Sequence, residues 1–162
     1  MKLSKIKDAI TDMKAGKMVI VVDDENRENE GDFIIASEKV KPKDINFMMK
    51  EGRGLICISI TNEIARKLKL PPMVNANTSM HETNFTVSVD AVKNVTTGIS
   101  AQDRWETVQV ILDENSKPDS LCRPGHMFPL IAKDGGVLQR AGHTEASLDL
   151  ARLAGLKPAS LL

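Results

Sequence analysis

The chain has 162 residues, 41% hydrophobic and 27% charged, enough to bury one sizeable core in a single domain spanning residues 1–162. Lys plus Arg equal Asp plus Glu at 22 each, so there is no basic surplus of the kind that draws a protein onto nucleic acid or anionic lipid, and a small-molecule partner is expected instead. No apolar run reaches bilayer-spanning length, and the opening MKLSKIKDAITDMKAGK lacks the apolar stretch of a signal peptide, so a cytoplasmic protein with no membrane partner is expected.

Ile6, Ile10 and Met13 keep helical spacing behind Ser4, a capping residue type, and Met18 to Val22 then read as a buried strand. DFIIAS predicts a second strand. KPKDINFMMKEG, with Pro42 near its start and Gly52 at its end, predicts a short helix. GLICISI supplies a third strand before the helix-like NEIARKLKL, and PPMVNANTSMHET reads as a loop that includes His81. NFTVSV alternates as a half-buried strand, and Ser100 with Asp103 predicts a capped helix through Trp105, Val108 and Leu112. Cys57 lies inside GLICISI and Cys122 in a polar loop, which predicts two free thiols rather than a disulfide. Strands and helices mingle throughout, with no repeat or linker, so an α/β fold with a mixed sheet packed by helices is expected.

Between the first two strands, VVDDENRENEGDFII places Asp23, Asp24, Glu25, Glu28, Glu30 and Asp32 within one short stretch. One reading is a solvated hairpin turn. The other is a metal or polyol site, because crowded carboxylates repel unless a cation or hydrogen-bonded ligand offsets them, and Arg27 sits among them. Asp24, Asn26 and Glu28 are spaced like a calcium loop, but the glycine and distal glutamate of that motif do not follow in place.

The second informative region runs from CRPGHMFPL to AGHTEASLDLARLAG. Leu148, Ala151 and Leu156, with Leu150 and Leu153, predict a helix beginning just after His143 and capped by Thr144. Arg140 and Gly142 stand immediately before it, so a guanidinium, an approachable backbone and free helix-start amides meet. That suits a phosphate, although a plain capped helix with a surface arginine reads equally from these residues. The chain has only three histidines, and two of them, His126 in PGH and His143 in AGH, follow a glycine bend that would fix the ring for catalysis or metal binding.

The motifs DDENRENEGD, RGLICISI, TTGISAQDR, RPGHMFPL and GGVLQRAGHTEASLDLARLAGLKPA, in this order along nearly the whole chain, closely resemble the 3,4-dihydroxy-2-butanone 4-phosphate synthase family. These riboflavin-pathway enzymes turn ribulose 5-phosphate into a four-carbon phosphate and formate. The resemblance implies a three-layer α/β arrangement with a central mixed β-sheet flanked by helices, a homodimer with shared active sites, and dependence on magnesium, for which manganese can stand in. Carried over by motif, Glu28 and His143 would hold the metal and touch substrate, and Arg27 and Asp32 would contact the sugar. Glu30 and Asp32 would serve proton transfer, and Arg140, Ala141, Gly142 and Thr144 would take the phosphate. His126 would act in acid–base chemistry, reaching the neighbouring subunit's pocket, with Thr97 and Cys57 as pocket neighbours. Family members continue past KPA into a Cys-Glu-containing stretch whose glutamate is taken as catalytic. The chain ends at Leu162 without it, as expected of a trimmed chain or of the first part of a bifunctional enzyme with a GTP cyclohydrolase. A different metal-dependent sugar-phosphate isomerase or aldolase, or a non-catalytic phosphosugar-binding domain, would use similar residue types, and formate release separates these classes.

Overall fold

A computed structural model describes residues 3–162. Helix α1 (Ile6–Lys14) leads into an antiparallel hairpin of β1 (Val19–Val22) and β2 (Gly31–Ala36), in register from Val19 opposite Ile34 to Val22 opposite Gly31. The acidic stretch is therefore the hairpin loop. Helix α2 (Pro42–Phe47) opens on Pro42, which needs no amide partner in the first turn, and continues into a π-helical turn over Met48–Gly52 that ends where Arg53 takes a left-handed φ of 56°. Strand β3 (Cys57–Ile60), helix α3 (Asn62–Lys67), strand β4 (Val89–Ala91) and helix α4 (Ala101–Leu112) follow, then strand β5 (Leu121–Ile131), helix α5 (His143–Leu153) and the two-residue strand β6 (Ser160–Leu161).

The six strands form one mixed sheet in the order β1-β2-β6-β3-β5-β4, with β3 and β5 parallel and the other neighbours antiparallel. Both faces are covered from β2 inward, while Ile20 and Val22 leave β1 a half-exposed edge strand, and the alternation of a strand explains how. On β2, Ile34 and Ala36 pack with Met13 of α1, Leu150 and Ala151 of α5 and Ala154 at its C-cap, while Ile35 faces the opposite cluster with Ile45, Val108 and Ile111 from α2 and α4. On β3, Ile58 and Ile60 join that second cluster. Each fully buried Ile or Leu contributes about 1.5–3 kcal/mol by leaving water. The expected three-layer arrangement is thus present, with the sheet between α1/α5 and α2/α4. No helix among the described residues is long and apolar enough to cross a membrane.

Four local expectations change. The N-cap of α1 is Lys5 rather than Ser4 and makes no side-chain bond, since that exposed first turn has nothing to fix it. NFTVSV is not a strand. It lies along β5 and bonds to it at Asn84 and Thr86, but makes only isolated bridges, Phe85 to Leu130 and Thr86 to Pro72, until its last residue, Val89, opens β4. Cys122 lies in β5 rather than a loop, although exposed, and both thiols are free. The N-cap of α5 is Gly142, one turn position before His143, so Thr144 lies inside the helix. The cap on α4 is as expected: Ser100 Oγ accepts the Asp103 N–H at 3.0 Å.

Candidate active site

The hairpin loop folds on Asp23. Its carboxylate accepts the backbone N–H groups of Glu28 (3.1 Å) and Glu30 (3.0 Å) and the Arg27 guanidinium (2.7 Å), which turns a run of acids into a rigid loop. Burial works against ionisation of Asp23, but the hydrogen bonds from Glu30, Arg27 and Glu28 outweigh it and hold the pKa down to about 2. Arg27 also reaches Glu28 Oε2 at 3.0 Å, so one guanidinium offsets two of the acids.

Helix α5 brings the second half of the site to this loop. Ser147 donates to the Thr144 carbonyl (2.8 Å) and its hydroxyl lies 2.6 Å from that of Ser59, pinning the first turn of α5 against β3. At the N-cap, Gly142 has an ordinary φ of −112°, so its need for glycine is not conformational. A Cβ there would overlap the Arg140 guanidinium and stand 3.0 Å from Arg27 Nη2: both cations pass over the helix start. Arg140 is fixed by Glu145 Oε2 (2.6 Å), the His81 carbonyl (3.0 Å) and Thr83 Oγ1 (3.0 Å). Glu145 is 1% exposed and uses its other oxygen to accept the Lys133 N–H at 2.9 Å. Two guanidiniums at the N-terminus of an eleven-residue helix make an anion site by charge and by unpaired amides together. Gly142→Ala should displace both side chains and weaken binding of inorganic phosphate by about tenfold, with about 1–3 kcal/mol lost from stability through overpacking. Phosphate titration and thermal melts of the two proteins check this.

Between loop and helix lies a cavity of about 280 Å³. Arg27, Glu28, Glu30 and Asp32 line it from the hairpin, and Cys57, Arg140, His143 and Thr144 from the other side. Asp32 and Cys57 reach it because they stand on the α5-facing side of β2 and β3. Burial raises the proton affinity of Asp32, with His143 pulling the other way and Glu30, Glu28 and Asp23 adding to the rise. Burial, reinforced by Asp32, pushes the Cys57 thiol up to about 12, so it stays protonated and is no nucleophile. Ala141 is exposed and does not line the cavity.

His143 Nδ1 lies 3.6 Å from Glu28 Oε2 and 3.8 Å from Asp32 Oδ2, and its buried Nε2 has no hydrogen-bond partner among the described residues. Donor atoms of Asp23, Glu28 and His143 fall within 4.8 Å of one another. An imidazole facing carboxylates across such a gap fits a divalent cation. Asp23 is the weakest of the three as a ligand, since its oxygens are already taken by the loop.

His126 and Thr97 are not brought to this cavity within one chain. His126 pairs instead with Asp90 across the β4–β5 contact, beside the loop carrying Thr97. The sequence marks Asp23 only as one of six clustered acids and gives no role to Asp90 or Glu145. Glu145, an acid in the first turn of a helix that follows an arginine, was the most readable of them. Asp90 carries no local signal, because only sheet pairing places it under His126.

The family model for 3,4-dihydroxy-2-butanone 4-phosphate synthase matches residues 7–162. The chain belongs to this family. It is 59% identical over 162 residues to the riboflavin biosynthesis protein RibBA of Chlorobium phaeovibrioides, covering 99% of this chain and 40% of that one. To the 3,4-dihydroxy-2-butanone 4-phosphate synthase of Helicobacter pylori it is 55% identical, covering 100% and 47%. The chain thus spans under half the length of these relatives. Among solved structures, it is similar to a 3,4-dihydroxy-2-butanone 4-phosphate synthase in complex with two magnesium ions, with a TM-score of 0.95 at 45% identity over 98% of this chain and 74% of that one. It is similar also to RibBX, a two-domain synthase from A. baumannii, with a TM-score of 0.92 at 49% identity over 98% of this chain and 46% of that one. Two of the five motifs that carry the resemblance, the hairpin loop and the α5 start, face each other across one cavity.

Proposed function

We propose that the chain converts D-ribulose 5-phosphate to L-3,4-dihydroxy-2-butanone 4-phosphate and formate, a step of riboflavin biosynthesis, as a carbon–carbon lyase that needs a divalent cation. The observation that carries this reading is the meeting of the Glu28–His143 pair with the two guanidiniums over the α5 N-terminus in one cavity, a metal-type donor set beside an anion cradle. Family membership and the magnesium-bound relative support it.

In this reading Arg140, Arg27 and the first α5 amides following Gly142 bind the phosphate, which sets the sugar chain along the cavity toward Asp32. Glu28 and His143 hold magnesium, or manganese, which accepts imidazole more readily; when bound, the cation stabilises negative charge developing on the sugar's oxygens. Arg27, Glu28 and Asp32 hold hydroxyls. Asp32, whose proton affinity is raised, and Glu30 move protons during enolisation and loss of water, and the later skeletal rearrangement and formate release need the same groups. Cys57 stays a neutral thiol in the wall. His126 and Thr97 enter from a second copy of the chain, which makes the working unit a homodimer with shared sites.

Formate release from ribulose 5-phosphate, followed with magnesium and with EDTA, tests the reaction. Metal-dependent formate is expected, and none at all, with the sugar phosphate still bound, would leave a binding domain. Mixing Glu28→Gln with His126→Ala should restore part of the activity that each lacks alone, because one mixed site then has both intact residues. A monomer by sedimentation at assay concentration, or no restoration on mixing, removes the shared site.

A further inference from the structure

We propose that Asp90 is the positioning residue for His126: it holds the imidazole in the tautomer protonated on Nδ1 and so leaves the Nε2 lone pair to take a proton from substrate. This rests on the acid–base reading of His126 given above, and adds the group through which that ring is tuned.

The register between β4 and β5 shifts between Val89, opposite Met127, and Asp90, opposite Cys122, so the stretch from Arg123 to His126 bulges over Asp90. Gly125 makes the bulge possible: a Cβ there would overlap the backbone of Val89 and Asp90. The bulge delivers His126 to a buried carboxylate, 7% exposed, that grips it twice. Asp90 Oδ1 accepts the His126 backbone N–H at 2.8 Å, and Oδ2 lies 2.6 Å from Nδ1. Arg104 donates to the His126 carbonyl from the other side. The pair also needs Gly98, at φ +91°, since a Cβ there would overlap Asp90 Oδ2 and stand 2.8 Å from His126 Nδ1. Gly98 is itself held by Asp103, whose Oδ2 accepts its N–H at 2.9 Å. The TTG and PGH motifs therefore meet on one carboxylate.

An ionised carboxylate only accepts hydrogen bonds, so the ring nitrogen facing it carries the proton. Nε2 has no hydrogen-bond partner among the described residues, and the His126 side chain is 40% exposed. The ring is thus anchored on one edge and open on the other, the arrangement of a base whose orientation is set by a third group. Asparagine at position 90 would invert it. The position of Oδ1 must stay an acceptor for the His126 N–H, so the amide NH2 faces Nδ1, donates to it, and moves the ring proton to Nε2.

Long-range proton–nitrogen NMR on the labelled full chain, with the His126 ring neutral, reads the tautomer without turnover. Wild type should show the proton on Nδ1, and Asp90→Asn should show it on Nε2. Formate release by Asp90→Asn should fall by about a hundredfold in kcat, the scale of lost general acid–base catalysis, with a much smaller change in KM for ribulose 5-phosphate. A proton on Nε2 in wild type overturns the proposal, and this spectrum decides even where Asp90→Asn does not fold. An unchanged tautomer in Asp90→Asn, or an unchanged kcat beside an inactive His126→Ala, also overturns it. Full activity of His126→Ala instead removes the acid–base reading itself.

Discussion

Arg140→Ala is expected to bind ribulose 5-phosphate roughly 1.5–3 kcal/mol more weakly, about ten- to a hundredfold, while its affinity for unphosphorylated ribulose stays near that of wild type. The guanidinium gives one N–H bond each to His81, Thr83 and Glu145, so each terminal nitrogen keeps a free N–H for an anion. Lysine should recover only part of the loss, because a point charge cannot fill three fixed directions and still present a fork. The same geometry predicts a second effect. Glu145 is 1% and Arg140 14% exposed at the side chain, and removing one partner of a buried pair costs roughly 3–5 kcal/mol by stranding the other charge. Arg140→Ala should therefore melt earlier, and Arg140→Ala with Glu145→Gln should regain stability without regaining phosphate affinity. Calorimetric titration with sugar and sugar phosphate, beside thermal melts, separates the two effects. Equal loss of affinity for both ligands would place the phosphate elsewhere.

Glu28→Gln should lower affinity for magnesium or manganese by about tenfold or more and abolish most formate release, with the fold retained. A neutral amide replaces an anionic donor 3.6 Å from His143 Nδ1, and the Arg27 guanidinium, now balanced by Asp23 alone, adds local positive charge against the cation. The Glu28 side chain is part-buried at the cavity wall, but the backbone bonds to Asp23 that shape the loop do not involve it, so melting should change little. Metal binding can be read by titration or by manganese paramagnetic resonance with no substrate present. Undiminished affinity would remove Glu28 from the metal site and leave His143 to pair with Asp32, 3.8 Å away.

Much of this protein is written locally, and the exceptions share a cause. Apolar spacing placed β1, β2, β3, α3 and α4, and the Ser100–Asp103 cap, because a strand's alternation and a helix's stripe are properties of adjacent residues. The hairpin acids and the Arg140–Gly142 helix start were legible for the same reason: charge density and capping chemistry need no distant partner. The NFTVSV segment does run along β5, but alternation states only that two faces differ; the length of regular pairing is decided by the partner, and the regular ladder starts only at Val89, where β4 begins. Strand β5 itself was hidden by Pro124 and Gly125, residues that break a strand in isolation but here form a bulge. Asp23 is local as well, since it takes Arg27, Glu28 and Glu30 from its own loop. Two features belonged to the tertiary structure alone: Glu145 holds an Arg140 that also reaches His81 and Thr83, and Asp90 lies under His126. Each is a polar group whose partners are made available by burial and strand register, so its role exists only once the sheet has closed around it.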